Sequence, residues 1–291
     1  MITETFSWQT NDHLTLHAQE WAPDADPQAC VVLVHGLGEH VGRYQHVGEY
    51  LAQAGYALCG FDLRGHGHSQ GLRCHAPSYD ALAGDIQGFV EEIQKRHPGK
   101  PVFLYGHSLG GSLVLYTLFT RRLPLAGAIV TSPGLQPAKA VPPAKRALAK
   151  LLSSLWPTLT LSNDLDVDGI SRDRVVVEAY RHDPLVHDRI SSRLGMELLQ
   201  QGEWMGHQTI ELSIPLLLMQ GSADRLVNAQ ATQRLAGQLK GNITWKLWDG
   251  YYHELHNAPE KQEMLDFVLN WLRQHQPASG FTRLDPTRPG G

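Results

Sequence analysis

The chain has 291 residues, enough for one large α/β domain with an inserted segment or for two small domains. Apolar residues make up 42% of it and charged residues 19%, so it can bury a sizeable core and we do not expect a disordered protein. The net charge of −4 argues against a nucleic-acid partner, because such a partner requires a basic surface.

The N-terminal sequence and the cysteines predict a cytoplasmic protein. The first residues, MITETFSWQT, contain neither the basic region nor the apolar region of a signal peptide. No apolar run approaches the ~20 residues of a membrane span, so we expect no transmembrane segment. Three cysteines without close spacing argue against a disulfide framework, and Cys30 and Cys59 lie in apolar runs typical of core residues.

Short apolar runs alternate with helical patterns along the chain. Residues 3–9 and 14–21 predict an opening hairpin. Buried strands are then predicted at 30–36, 56–62, 101–106, 126–132, 214–221 and 243–250. Helices are predicted at 42–54, at 79–96, directly after the strand 101–106 to about residue 121, at 228–239 and at 258–275. This alternation predicts a mostly parallel sheet covered on both faces.

Residues 133–208 interrupt this alternation and contain no convincing strand. Five apolar residues in this segment recur at helical spacing and form one stripe: Leu148, Leu151, Leu152, Leu155 and Trp156. The stripe is consistent with a helix that packs on the sheet domain. It is also consistent with a helical cap whose apolar face lines or guards a site, and the position between two strands favours this interpretation.

The domain organisation follows from these patterns. We expect a core formed by residues 1–132 and 209–275, with residues 133–208 as an inserted helical cap or lid. The C-terminal residues 276–291 are rich in Pro and Gly and lack periodicity, which predicts a disordered tail.

The candidate nucleophile is Ser108, in the G-x-S-x-G sequence GHSLG at 106–110. Glycines on both sides allow a sharp strand-to-helix turn with a strained Ser at its apex. A second match, GHSQG at 67–71, follows a loop and precedes a segment without helical periodicity. Strand–turn–helix is the context that this motif requires, so we interpret Ser69 as a chance match.

A nucleophilic Ser needs a His base and a carboxylate that orients it, in the chain order Ser, acid, His for α/β-hydrolases. Asp224 and His253 each follow a predicted buried strand, where the active-site groups of open α/β sheets collect. Asp249 is a rival acid and His256 a rival base. Asp249 is typical of a turn before Gly250, and His253 lies closer to its strand end.

Acyl transfer also needs two N–H donors for the oxyanion. We expect them from Leu109, after the nucleophile, and from Leu37 in the Gly-rich loop after the strand 30–36. The remaining histidines, including His66, His68 and His75, lie in loops without the spacing of a metal site. We therefore expect neither a metal nor a cofactor.

These residues resemble the monoacylglycerol lipase and lysophospholipase group of α/β-hydrolases. The resemblance spans most of the chain and is weakest in the predicted cap. The segments that carry it, in family order, are HGLGEHVGRY (35–44), GFDLRGHGHSQG (60–71), GHSLGG (106–111), GSADRLV (221–227) and YYHELHNAPE (251–260).

The resemblance implies the α/β-hydrolase fold, with a mostly parallel eight-stranded sheet flanked by helices and an inserted helical cap. It implies that Ser108, Asp224 and His253 form the catalytic triad. Leu37 and Leu109 match the oxyanion-hole donors. It also implies that three polar residues border the glycerol side of the site: Glu39, Arg43 and His256. For Glu39 and Arg43, a salt bridge within the loop is an equally good interpretation.

The function expected from the resemblance is hydrolysis of a small lipid ester, a monoacylglycerol, through an acyl-enzyme. A lysophospholipase or general carboxylesterase is the alternative, and an acyltransferase stays open. A non-catalytic binding protein with this fold is disfavoured because it would not need the triad and the oxyanion loop together. Transient contact of the cap with a lipid interface is compatible with a cytoplasmic protein peripheral to the membrane. The sequence leaves the oligomeric state open.

Overall fold

The computed structural model describes residues 1–277. The strands of this part of the chain are β1 Ile2–Gln9, β2 Thr15–Ala22, β3 Cys30–Val34, β4 Ala57–Phe61, β5 Val102–His107, β6 Gly127–Thr131, β7 Thr160–Ser162, β8 Arg189–Ser191, β9 Leu216–Gly221 and β10 Ile243–Trp248. Its α-helices are α1 Gln45–Gln53, α2 Tyr79–Arg96, α3 Leu109–Thr120, α4 Pro143–Leu155, α5 Arg174–His182, α6 Ser192–Gly206, α7 Ala229–Gln238 and α8 Lys261–His275.

Eight of the strands form one sheet in the order β1-β2-β4-β3-β5-β6-β9-β10. The predicted hairpin β1–β2 is antiparallel and joins β4 in antiparallel pairing, and every other neighbouring pair is parallel. The predicted eight-stranded, mostly parallel sheet flanked by helices is therefore confirmed. Its parallel strands end on one edge, where β3, β5, β9 and β10 present the loops that follow them.

Helices cover both faces of the sheet, which explains the continuous apolar runs of the central strands. Each residue of β3, β4, β5 and β6 is buried. Alternate side chains of these strands belong to two separate apolar clusters. Helices α2, α3 and α7 pack in one cluster, and α1 and α8 pack in the other.

The segment between β6 and β9 holds α4, α5 and α6 and also two short strands that the sequence analysis missed. The expectation of no strand between 133 and 208 was wrong, because β7 and β8 pair antiparallel from Thr160–Ser191 to Ser162–Arg189. Each strand has three residues. That is too short to produce an alternating apolar pattern.

The apolar stripe of α4 points to solvent. The exposed fractions are 55% for Leu148 and Leu151, 57% for Leu155 and 61% for Trp156, so these side chains pack neither on the sheet domain nor around a site. The expected packing of the stripe on the sheet domain was therefore wrong for these four residues, whereas the assignment of the segment as a cap stays a prediction. Spacing identified the helix and its apolar face, but it does not say which neighbour, if any, that face meets.

No helix among residues 1–277 is long and apolar enough to cross a membrane. The three cysteines are free and buried. The tail predicted at 276–291 lies outside the described residues from residue 278 onward.

Candidate active site

Ser108 stands at the junction of β5 and α3 with a backbone conformation that side chains rarely adopt, φ 53° and ψ −116°. The turn is so tight that a Cβ on Gly106 would overlap the carbonyl oxygen of Gly110. A Cβ on Gly110 would overlap the carbonyl oxygen of Val34 at the end of β3. The two glycines of the motif are therefore required by the close approach of α3 to the strands, and the turn lifts the Ser108 side chain out of the sheet edge.

Ser69, the other G-x-S-x-G serine, has a different environment. Its hydroxyl donates to the carbonyl oxygen of Asp62 at 2.6 Å and accepts from the N–H of His17 at 2.9 Å. Ser69 thus ties a loop to β2, and its hydroxyl has no histidine ring as a hydrogen-bond partner among the described residues.

The structure brings Ser108, His253 and Asp224 together. His253 Nε2 lies 2.9 Å from Ser108 Oγ, and His253 Nδ1 lies 2.8 Å from Asp224 Oδ2. Asp224 comes from the loop after β9 and His253 from the loop after β10. A proton on Nδ1 that is donated to the carboxylate leaves Nε2 free to accept from the serine hydroxyl.

The partners of Asp224 keep it ionised and fixed. Its Oδ1 accepts from the N–H groups of Leu226 and Val227 at 2.8 and 3.1 Å, and its Oδ2 accepts from Gln220 at 2.7 Å. Burial raises the pKa of Asp224, but His253 and these N–H groups outweigh it, so the pKa lies below its usual value. The rival Asp249 accepts from Ser222 at 3.0 Å at an exposed turn.

The same carboxylate makes His253 a stronger base. Burial alone would lower the pKa of His253, but the charge and hydrogen bond of Asp224, with Glu254 and Glu39 behind it, raise the pKa above its usual value. His253 is also held through its backbone, because its carbonyl accepts from Ser132 Oγ at 2.7 Å. His253 is thus held by the Asp224 carboxylate at its ring and by Ser132 at its backbone.

Two backbone N–H groups flank the nucleophile. Leu109 is the first residue of α3, where an N–H has no acceptor within the helix. Leu37 follows β3, and a Cβ on its neighbour Gly36 would lie 3.2 Å from Ser108 Cβ. Neither N–H donates to an acceptor among residues 1–277. Leu37 and Leu109 therefore stay the predicted donors for a carbonyl oxygen attacked by Ser108.

Glu39 and Arg43 form a buried charged cluster with Glu254. Glu254 receives two hydrogen bonds of 2.7 Å from Arg43, which also donates to Glu39. Glu39 accepts from the Gly36 N–H at 2.6 Å and from Tyr44 at 2.8 Å. The salt-bridge interpretation of Glu39 and Arg43 thus describes their contacts, and the cluster links the Leu37 loop to the His253 loop.

The two carboxyls of this cluster differ in acidity. Burial raises the pKa of Glu39 even though Arg43 is close. Burial acts in the same direction on Glu254, but the two hydrogen bonds and the charge of Arg43 bring its pKa well below its usual value. The positive charge of Arg43 is therefore balanced within the cluster by the carboxyl groups that it binds.

His256 lies behind the cluster and does not face the nucleophile. It is fully buried and stacks on Tyr44 at 4.5 Å, with His107 4.9 Å away. Neither ring nitrogen has a hydrogen-bond partner among the described residues, and burial holds its pKa well below the usual value. His256 supports the ring packing behind the site, and His253 alone reaches Ser108.

A small cavity opens beside Ser108 and holds about 10 Å³ of space, room for about one water molecule. Its apolar walls come mainly from the segment between β6 and β9 and from the Asp224 loop: Leu165, Ile170 and Leu226. Glu39, Glu254 and Tyr180 form its polar side. A larger cavity of about 340 Å³ shares Leu165 and Tyr180 with it, so these two side chains separate the cavities.

Glu254, Tyr180 and Gln220 belong to the site but were not among the residues predicted from the sequence. Gln220 carried a signal, because it is a polar residue within the otherwise apolar run of β9. Glu254 follows His253 directly, but its pairing with Arg43, 211 positions away, had no signature in the sequence. Tyr180 lies on α5, and nothing in its local pattern indicates a site.

The candidate site contains no group of residues suited to a metal. Two clusters of His, Cys, Asp or Glu within residues 1–277 have ligand atoms within 4.8 Å of one another, and neither includes a residue of this site.

A family model and several known proteins are similar to this chain in sequence. The family model described as serine aminopeptidase, S33, matches residues 25–260. A monoacylglycerol lipase of Mycolicibacterium smegmatis is 35% identical over 88% of this chain and 91% of its own length. An abhydrolase domain-containing protein of Dictyostelium discoideum is 38% identical over 94% of this chain, which spans only 29% of that protein.

Among solved structures, the crystal structure of Paleococcus ferrophilus monoacylglycerol lipase is similar over 89% of this chain and 99% of that one. The TM-score is 0.82 and the sequence identity 37%. These matches confirm both the resemblance to the monoacylglycerol lipase group and the predicted α/β-hydrolase fold.

The buried cluster leads to a stability prediction. Replacing Arg43 with Met leaves Glu39 and Glu254 buried without a counter-charge, so we expect the free energy of unfolding to fall by about 3–5 kcal/mol. Urea unfolding measures this change. Arg146→Met is the control, because Arg146 pairs with Glu203 at the surface and its loss should cost at most about 1 kcal/mol. Equal losses in the two variants would contradict the prediction.

Proposed function

Since the chain belongs to the serine aminopeptidase S33 family, we propose that it is a serine hydrolase that cleaves monoacylglycerols into glycerol and a free fatty acid. The observation that carries this proposal is the unbroken hydrogen-bond chain from Ser108 through His253 to Asp224. The monoacylglycerol lipases among its relatives support the choice of substrate.

In the proposed mechanism, Ser108 Oγ attacks the ester carbonyl while His253 Nε2 takes the hydroxyl proton. Asp224 stabilises the imidazolium that forms. The N–H groups of Leu37 and Leu109 hold the oxyanion of the tetrahedral intermediate. When this intermediate collapses, His253 gives its proton to the leaving glycerol oxygen, and the acyl group stays on Ser108.

Water completes the reaction. It attacks the acyl-enzyme with His253 as base, the same two N–H groups hold the second oxyanion, and the fatty acid leaves as Ser108 recovers its proton. An acyltransferase would use an alcohol in place of this water.

The charge of the polar side favours glycerol over a phosphorylated headgroup. The one cation in the buried cluster, Arg43, already binds Glu254 and Glu39, so it has no charge to offer a phosphate. The carboxylate of Glu254, whose pKa lies well below its usual value, would instead repel one. This supports monoacylglycerol as substrate over a lysophospholipid.

We propose that residues 133–208 act as a cap over the site. Leu165, Ile170 and Tyr180 from this segment enclose the cavity at Ser108. That cavity is too small for a fatty acyl chain, so part of the cap must move to admit one. We also propose that Glu39, Arg43 and His256 set the polar end of the site, Glu39 directly and the others by supporting it.

A substrate panel tests the proposed activity. We expect the protein to hydrolyse long-chain monoacylglycerols faster than lysophosphatidylcholine, p-nitrophenyl esters or amino-acid p-nitroanilides. Ser108→Ala should lower kcat by at least about 10³-fold because no nucleophile remains. Ser69→Ala is the matched control and should keep full kcat, since Ser69 lies in a structural loop.

Full activity in Ser108→Ala would refute the assigned nucleophile. Faster hydrolysis of lysophosphatidylcholine would instead refute the substrate and leave the nucleophile standing. An unreactive protein that also fails to react with a fluorophosphonate would indicate a binding protein.

The pH dependence of kcat/KM tests His253 as the base. His253 must be neutral to accept a proton, so activity should fall as the pH drops through its pKa. Because this pKa is raised above its usual value, we expect the acid limb to lie at a higher pH than that of an unperturbed histidine. Glu254→Gln removes a charge that raises the pKa of His253, so the limb should move to lower pH.

The control for this shift is Glu91→Gln, which alters an exposed carboxylate on α2 and should leave the limb in place. A limb that does not move in Glu254→Gln, or that moves to higher pH, would exclude His253 as the titrating base.

We propose that the protein is cytoplasmic and contacts lipid surfaces transiently through α4. Its stripe of four exposed apolar side chains would enter the lipid interface beside Lys145, Arg146 and Lys150. Three free, buried cysteines support a reducing compartment.

The double substitution Leu151→Ser and Trp156→Ser should weaken sedimentation of the protein with anionic vesicles. The control is Val175→Ser, which alters an exposed apolar residue on α5 and should leave sedimentation unchanged. Equal sedimentation of all three proteins would rule out α4 as the contact.

A further inference from the structure

Three potential metal ligands meet at a point away from Ser108. His66 and Cys74 lie in the long connection between β4 and α2, and His187 lies just before β8. One ligand atom from each residue lies within 4.8 Å of the others. His66 and Cys74 are fully buried, so this is not a chance meeting of flexible surface side chains.

We propose that His66, Cys74 and His187 form a binding site for a zinc ion that fastens the inserted segment to the hydrolase core. Two imidazoles and one thiolate are ligands that Zn²⁺ prefers, and a water molecule completes a four-coordinate set. No local pattern in the sequence indicates this site, because His187 lies more than a hundred positions from the other two ligands.

The spacing of the first two ligands already suits zinc. Bond lengths near 2.0–2.1 Å to nitrogen and 2.3 Å to sulfur place N and S about 3.5 Å apart around a tetrahedral ion. His66 Nε2 and Cys74 Sγ are 3.4 Å apart. These two side chains can therefore bind the ion as they stand, and only the ring of His187 has to approach.

His66 is oriented for this role, whereas His187 has to give up the hydrogen bond in which its Nδ1 accepts from the Arg189 N–H at 3.3 Å. His66 Nδ1 lies 3.1 Å from the carbonyl oxygen of Arg64, an arrangement that fixes the proton on Nδ1 and leaves Nε2 free toward Cys74. His187 Nε2 is buried and has no hydrogen-bond partner among the described residues. A buried nitrogen without a partner is unfavourable, and a ligand at this point removes the penalty.

An ion can reach the site through the larger cavity. His187 lines this space of about 340 Å³, and so does Asp188, whose carboxylate attracts cations. When the ion binds, the Cys74 thiol gives up its proton to solvent and the thiolate becomes the ligand. One proton is therefore released for each zinc ion that binds to the Cys74 sulfur.

The location gives the ion a mechanical role. The His187 N–H donates to the carbonyl oxygen of Gly38 at 2.9 Å, and the Ser191 N–H donates to the carbonyl oxygen of Cys74 at 3.0 Å. A bound ion adds a side-chain link to these two backbone links. Since Gly38 follows Leu37, the ion would steady the loop that presents the Leu37 N–H.

Metal titration of the tag-free, chelator-treated full chain tests this site. We expect one Co²⁺ ion per chain with thiolate-to-cobalt charge-transfer absorption, and Zn²⁺ should displace it. Cys74→Ser should abolish the charge-transfer band. His187 is partly exposed, so the substitution His187→Asn should not prevent folding. This variant should bind zinc at least about tenfold more weakly than the wild type.

The control is His182→Asn, which removes an exposed histidine of α5 outside the cluster and should bind zinc as the wild type does. Zinc should raise the thermal midpoint of the wild type and of His182→Asn more than that of His187→Asn. Absence of binding, a cobalt spectrum without the thiolate band, or unchanged zinc affinity in His187→Asn would overturn the proposal. None of these readouts depends on ester hydrolysis.

Discussion

The close packing of the first turn of α3 against the end of β3 is the contact on which the candidate site depends. Gly110 lies so near the carbonyl oxygen of Val34 that it has no space for a side chain. This approach places the Leu109 N–H, at the start of the helix, beside the loop that carries Leu37. It also forces Ser108 into a conformation with positive φ, which points its hydroxyl away from the sheet. One backbone contact thus sets the positions of the proposed nucleophile and of the proposed oxyanion donors.

A second constraint joins the loops around this turn. The Leu37 loop and the His253 loop come from opposite halves of the chain, and Arg43 connects them by binding Glu39 in one and Glu254 in the other. Burying three ionisable groups costs free energy, which their mutual hydrogen bonds offset only while all three are present. The same carboxyls raise the pKa of His253, so the cluster fixes the geometry of the site and also adjusts its base strength.

Features that depend on local sequence could be predicted, and those that depend on distant contacts could not. Strand periodicity, the glycines around Ser108 and the chain order of Asp224 and His253 are local signals, and the structure places these residues within hydrogen-bond reach. The pairing of Arg43 with Glu254 depends on how two loops meet. Spacing on α4 revealed an apolar face, but its exposure is decided by the absence of a covering element among residues 1–277.

The contacts of the inserted segment also limit how it can open. His187 is bound to Gly38 beside Leu37, and Ile170 accepts from the Glu254 N–H at 2.8 Å. Moving the part of the insertion between these two residues would disturb both loops that hold the site together. Helix α4 has no such contact: it packs on α6 and exposes its apolar side chains. Leu165, Ile170 and Tyr180 enclose the cavity beside Ser108 and no residue of α4 lines it, so displacement of α4 alone would not enlarge it. We therefore expect the side chains of Leu165 and Tyr180 to move aside for an acyl chain, while the backbone contacts of Ile170 and His187 keep the Leu37 and His253 loops in place.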